Sequence, residues 1–123
     1  MSPVEQLPTW CTEEDWCPME SAAAVLGRKW HPAVIYHLLD GETLRFSELK
    51  ERMHTVSGKV LSESLSDLED KKLVQRNVVD DRPVKVEYEL TEYGESLQPV
   101  INEMVSWGEE YLRDADSPAE SVV

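Results

Sequence analysis

Basic residues are scarce in this chain. Its 123 residues hold 12 lysines and arginines against 25 aspartates and glutamates, a formal net charge of −13. The shortage is uneven. Residues 1–27 hold five acids and no base, and residues 86–123 hold ten acids and one base. Residues 28–85 hold eleven bases and ten acids. A uniformly polyanionic surface would exclude a polyanionic partner; this distribution excludes one only at the two ends. Cysteine is limited to Cys11 and Cys17, which rules out a disulfide framework and, in a reducing compartment, favours free thiols. No run of about 18 apolar residues occurs, so no membrane span is expected. The opening Met-Ser-Pro-Val-Glu lacks the basic and apolar blocks of a signal peptide. These absences place the protein in the cytoplasm. His31, His37 and His54 do not fall in metal-ligand spacing with the cysteines, so no metal site is expected. No phosphate-cradling glycine loop and no Ser-His-Asp order appears, so neither a cofactor nor an enzyme is expected.

What is present describes one globular domain. Hydrophobic residues make up 41% and charged residues 30%, and the length suits a single modest core. The acid-rich, lysine-poor balance is that of a surface kept soluble in strong salt, where screening acts within about 3 Å at 1 M. The rival reading is a solvated acidic surface that says nothing about partners.

Along the chain, residues 1–16 form an acidic arm carrying Pro3, Pro8, Trp10 and Trp16. Cys17-Pro18 opens a helix with Met19, Ala22, Ala23, Val25 and Leu26 on its apolar face, and Gly27 closes it. Trp30 anchors a second helix through Ala33, Val34, Ile35, Leu38 and Leu39, ended by Asp40-Gly41. Leu44 to Phe46 read as a short strand, and Ser47 as the N-cap of a helix carrying Leu49 and Met53. After the turn at His54 to Val56, Ser57 caps a helix over about 57–71. Its buried face is Leu61, Leu65 and Leu68, and its wet face is Lys59, Ser62, Glu63 and Ser66. Two β-rich runs follow over about 74–90, bent at Asp80-Asp81-Arg82-Pro83, with Val84, Val86, Tyr88 and Leu90 alternating against charged residues. Thr91 caps a last helix over about 92–113, where Pro99 marks a kink or the true start. Residues 114–123 read as a frayed tail. The order is α+β, mainly α. It is a winged helix-turn-helix spanning 17–113, with a two-stranded wing and helices at both ends that form a two-fold apolar seam.

A series of motifs sharpens this. Cys17-Pro18-Met19-Glu20, Gly27-Arg28-Lys29-Trp30, Leu44-Arg45-Phe46-Ser47-Glu48-Leu49, Leu65-Ser66-Asp67-Leu68-Glu69 and Val86-Glu87-Tyr88-Glu89-Leu90-Thr91 occur in order over about 90 residues, with Gly94 and Trp107-Gly108-Glu109 behind them. Together they resemble the HxlR-type winged-helix regulators, and the acidic composition resembles a haloarchaeal member. The resemblance implies a homodimeric transcription regulator that binds a pseudo-palindromic operator in double-stranded DNA. It implies Ser57, Gly58, Lys59 and Ser62 in the major groove, with Arg82 and Lys85 on the wing. It also implies an oxidant-sensing cysteine at Cys17, which Cys11 could resolve. The chain departs from the family where basic residues usually sit, in mid-recognition helix: here stand Ser62, Glu63, Ser64, Ser66 and Asp67.

Further phosphate contacts are expected from Arg45, Lys50, Arg52, Lys71, Lys72 and Arg76, about half of this basic set touching DNA. Otherwise they are the scattered cations of any surface. Arg82 beside Pro83 suits a narrow groove, and its rival is a salt bridge to Asp80 or Asp81. Cys17 at a helix start gains thiolate character from the dipole, opposed by Asp15 and Glu20; a buried structural cysteine is the competing reading. The dimer seam is assigned to Trp10, Trp16, Met19, Ala23, Leu26, Ile101, Met104, Trp107 and Tyr111. In strong salt, cations bridging carboxylates to phosphate are a further expected partner, and operator binding should vary little with salt. Two other functions compete: a winged-helix module that binds protein, and a thiol oxidoreductase using Cys11 and Cys17. A gel shift at high salt separates the first from a regulator, and peroxide turnover separates the second.

Overall fold

The computed structural model describes residues 17–113 and, except at 80 and 81, their side chains. The arm with Cys11, Trp10 and Trp16, and the tail over 114–123, lie outside the described residues. The elements run α1 (Pro18–Leu26), α2 (His31–Gly41), β1 (Thr43–Arg45), α3 (Phe46–Arg52), α4 (Gly58–Asp70), β2 (Val74–Asp81), β3 (Val84–Leu90), α5 (Glu92–Glu95) and α6 (Gln98–Tyr111).

Helix ends follow local chemistry. Cys17 caps α1 with its sulfur, which accepts from Glu20 N–H at 3.4 Å, and Gly27 closes the helix. Ser57 Oγ accepts from Val60 N–H at 3.1 Å and starts α4, the second helix of the helix-turn-helix, as expected. Ser47, in contrast, is not a cap. The strand runs straight into α3 at Arg45, whose N–H is taken by the Glu48 carboxylate at 2.8 Å, so Ser47 falls inside the first turn. The expected last helix is two helices. Thr91 caps the short α5 through Gly94 N–H at 3.0 Å, and α6 starts afresh at Gln98 with Pro99 in its first turn.

The core gathers Val34, Ile35 and Leu38 of α2, Leu49 of α3, Leu61, Leu65 and Leu68 of α4, and Ile101 of α6. Each such side chain contributes about 1.5–3 kcal/mol by leaving water. This packing seats α4 against α2 and leaves its opposite face in solvent.

The sheet is antiparallel in the order β1-β3-β2. β2 and β3 form the expected ribbon, and β1 adds a third strand, pairing Leu44 with Tyr88 and Arg45 with Glu87. Burial along β3 does not alternate: it grades from exposed Val84 to buried Leu90. The reason is that only the base of the ribbon reaches the core, while the tip projects past it. A register shift between Val78 and Asp80 bends β2 near that tip. At the base, Thr91 donates to Lys72 C=O at 2.8 Å, and Gly94 lies against the Leu73 carbonyl, where an added Cβ would sit 2.2 Å from the oxygen. The end of α4, the ribbon and α5 are thereby held at one point.

Candidate nucleic-acid interface

α4 carries Leu61, Leu65 and Leu68 inward, so Lys59, Ser62, Glu63 and Ser66 share the outer face with Ser57 at its start. Gly58, half-buried, stands in the first turn. The helix holds one base, Lys59, and four acids, Glu63, Asp67, Glu69 and Asp70. Lys59 Nζ stands 3.8 Å from Glu63, both side chains largely exposed, a contact of little energy. The face therefore offers hydroxyls, an N-terminal backbone end and one cation, not a row of bases.

Other cations flank it. Arg45 is exposed at the end of β1, Lys50 is half-buried on α3, and Arg76, Arg82 and Lys85 lie along the ribbon. Lys72 is exposed just past α4 with a left-handed backbone, φ 67°. That geometry closes the helix: Lys72 N–H donates to Glu69 C=O at 2.9 Å and Leu73 N–H to Leu68 C=O at 3.0 Å. Val78, Val79 and Val84 are also exposed, so the ribbon's tip is apolar as well as basic. Two expected contacts are engaged within the protein. Arg52 bonds Asp40 at 3.2 Å, and Lys71 bonds Asp67 at 2.7 Å.

Asp67, one of the residues standing where the family usually carries bases, does not face the groove side of α4. Instead it turns back toward α2. Its Oδ2 lies 2.6 Å from Nε2 of His31, which is 1% exposed, and the same oxygen accepts from Lys71. The hydrogen bond from Lys71 and then that from His31 hold the carboxyl down to about 2. His31 Nδ1 has no partner and is buried. The network ties the recognition helix to the first turn of α2. Sequence reasoning missed it: Asp67 and Lys71 stand at i, i+4, a visible signal, but His31 is 36 residues away.

Cys17 is buried and disulfide-bonded, not the free thiol expected from composition. The chain's other cysteine, Cys11, is outside the described residues. Among the described residues, no three of His, Cys, Asp and Glu gather as a metal site, and no helix is long and apolar enough to cross a membrane.

The seam residues divide. Met19, Ala23, Met104, Trp107 and Tyr111 are exposed in the single chain, and Trp107 stacks near Tyr111 with ring centroids 5.6 Å apart. Leu26 packs half-buried against the core. Ile101 does not belong with them. It is 1% exposed and packs in the chain's own core, because α6 uses one edge to cover α2. Val100, Val105 and Leu112, absent from the expected set, are exposed beside Met104 and Trp107.

Comparison with known proteins agrees with this geometry. The HxlR-like helix-turn-helix family matches residues 25–116. The transcriptional regulator YodB of Bacillus subtilis is 42% identical over 105 residues, covering 85% of this chain and 93% of YodB. The structure of reduced YodB superposes with a TM-score of 0.69, covering 82% of this chain and 99% of that one. The redox regulator HypR in its reduced form gives 0.74 at 36% identity, covering 81% and 98%. The chain belongs to the HxlR-like helix-turn-helix family and is a DNA-binding transcription regulator, not an enzyme.

Proposed function

We propose that the protein acts as a homodimer on a pseudo-palindromic operator, in the cytoplasm of a salt-adapted cell, and that oxidants control it through Cys17 and Cys11. In this reading α4 lies in the major groove with Ser57, Gly58, Lys59 and Ser62 at the bases, and the ribbon brings Arg82 and Lys85 to the minor groove. Arg45, Lys50, Lys72 and Arg76 steady the complex on phosphates. The exposed, serine-rich face of α4 carries the proposal: it is mounted on a rigid core beside a projecting ribbon and has no other use in the fold.

The apolar side chains left in water on α1 and α6 support the dimer, since a lone chain exposes few contiguous large apolar residues without a partner. Two α4 helices then stand about one turn of DNA apart, roughly 34–36 Å. Oxidant control is supported by the disulfide state of Cys17 at the start of α1 and by the redox regulator HypR among the similar structures. Closing or opening that bond changes the link between the arm and a helix of the seam. Salt cations between the acidic ends and DNA phosphate complete the picture.

The test is a gel shift with the protein's own promoter region in molar potassium chloride, with and without peroxide. Specific retention that peroxide alters supports the proposal. Retention equal to that of random DNA sinks the operator, and retention indifferent to peroxide sinks the oxidant control. Sedimentation of a monomer at the same salt sinks the dimer.

A further inference from the structure

A pocket of about 430 Å³ lies between α1, the end of α4 and α5, away from the DNA-facing surface of α4. Its volume falls within the range of small-molecule sites, roughly 300–1,000 Å³. Pro18, Ala22 and Val25 of α1 form one wall, and Leu73, Tyr93 and Leu97 the other. Among the described residues, Lys71 is the one charged residue lining it. An apolar cavity with a single cation at its edge is complementary to a molecule with an apolar body and one negative group.

We propose that this pocket binds a small apolar monocarboxylate, with the carboxylate on Lys71 Nζ, and that its occupancy weakens operator binding. Lys71 supplies the coupling. Its ammonium is 2.7 Å from Asp67 Oδ2, the oxygen that also bonds buried His31. A carboxylate arriving at Lys71 competes with Asp67 for the same cation, and so frees Asp67, the residue that bonds His31 of α2, from the Lys71 contact that holds it in place. The pocket also includes Leu73, whose carbonyl is packed against Gly94 where α4, the ribbon and α5 meet. A ligand thus touches the junction that sets the angle of the recognition helix to the wing. Because binding free energies are reciprocal, DNA must weaken the ligand by the same factor. The site borders Cys17 through Pro18, but its occupation does not depend on whether Cys17 senses oxidants.

The experiment is calorimetric titration of the full chain with naphthalene-2-carboxylate, octanoate and the neutral naphthalene-2-carboxamide. At least one acid should bind with a submillimolar Kd, and the amide at least tenfold more weakly. The two acids distinguish an aromatic from an aliphatic natural ligand. Lys71→Met should cost tenfold or more in acid affinity and remove the preference over amide. Ala22→Phe, at an exposed helix position that tolerates size, should fill the cavity and abolish binding with Lys71 intact. Saturating acid should raise the operator Kd about fivefold or more, the lower end of ordinary coupling, and should do nothing to Ala22→Phe. No heat from either acid overturns the site; that is the result if the acidic segment 1–16 or a second copy fills the pocket. Equal binding of acid and amide overturns the role of Lys71. Tight binding with unchanged operator affinity overturns the coupling.

Discussion

Replacing Asp67 with alanine removes the one hydrogen-bond partner found for the buried His31 ring. Nε2 loses its contact at 2.6 Å, and Nδ1 has none to begin with. Leaving such a group unpaired in a core costs about 1–3 kcal/mol. The i, i+4 contact with Lys71 adds about 0.3–0.5 kcal/mol. A loss of roughly 1.5–3.5 kcal/mol is a large part of the roughly 5–15 kcal/mol that holds a domain together. At about 4–8 °C per kcal/mol for a domain of this size, Tm should fall by about 6 °C or more. The titration of Asp67 reports the same contacts. The hydrogen bonds from Lys71 and then His31 lower its carboxyl from 3.8 to about 2. The folded value lies below the unfolded one, so this stability is present above pH 4 and is lost as pH falls through 2. Urea melts of wild type and Asp67→Ala should therefore differ at pH 7, and the gap should narrow between pH 4 and pH 2. Adding His31→Leu to Asp67→Ala should recover at least half the loss, because no polar group is then stranded. A variant within about 0.5 kcal/mol of wild type at pH 7, the scatter of an ordinary surface change, would mean that the Asp67 contact to buried His31 holds nothing together.

Other outcomes follow from the same contacts. Met104→Glu, which puts a charge into the exposed apolar face of α6, should leave the fold intact and yield monomers in sedimentation, with operator affinity lost in gel shifts. Gly94→Ala forces a methyl against the Leu73 carbonyl and should lower stability by about 1–3 kcal/mol in urea melts, more than a surface Gly108→Ala. Cys17→Ser should abolish any effect of peroxide on operator retention while leaving reduced-state binding unchanged; a preserved peroxide response contradicts the cysteine assignment.

Much of the fold is legible in the chain because its signals are local. Ser57 and the i, i+4, i+7 leucines at 61, 65 and 68 define α4; Cys17-Pro18 and Gly27 bracket α1; the β-rich runs around residues 80–83 define the ribbon. What was not legible depends on distant partners. Arg45 caps α3 because β1 delivers its backbone extended from the sheet, a constraint that Ser47 cannot signal. β3 looks amphipathic by alternation, yet its burial is set by how far the ribbon projects from the core. Ile101 sits one turn from Met104 in an apolar stripe, and only the position of α2 decides which of the two is inside. Asp67 reads as one more acid on a wet helix until the fold places His31 against it.

The central claim is that a chain of net charge −13 reads DNA through a nearly uncharged helix face and a wing, with little reliance on a basic grip. The direct test is operator affinity measured from low to molar potassium chloride. The dependence should be shallow or reversed, with a log–log slope less steep than the roughly −7 that eight phosphate contacts, four per protomer, would give by themselves. A slope of about −7 or steeper, as for an ordinary repressor that displaces many counterions, contradicts the claim.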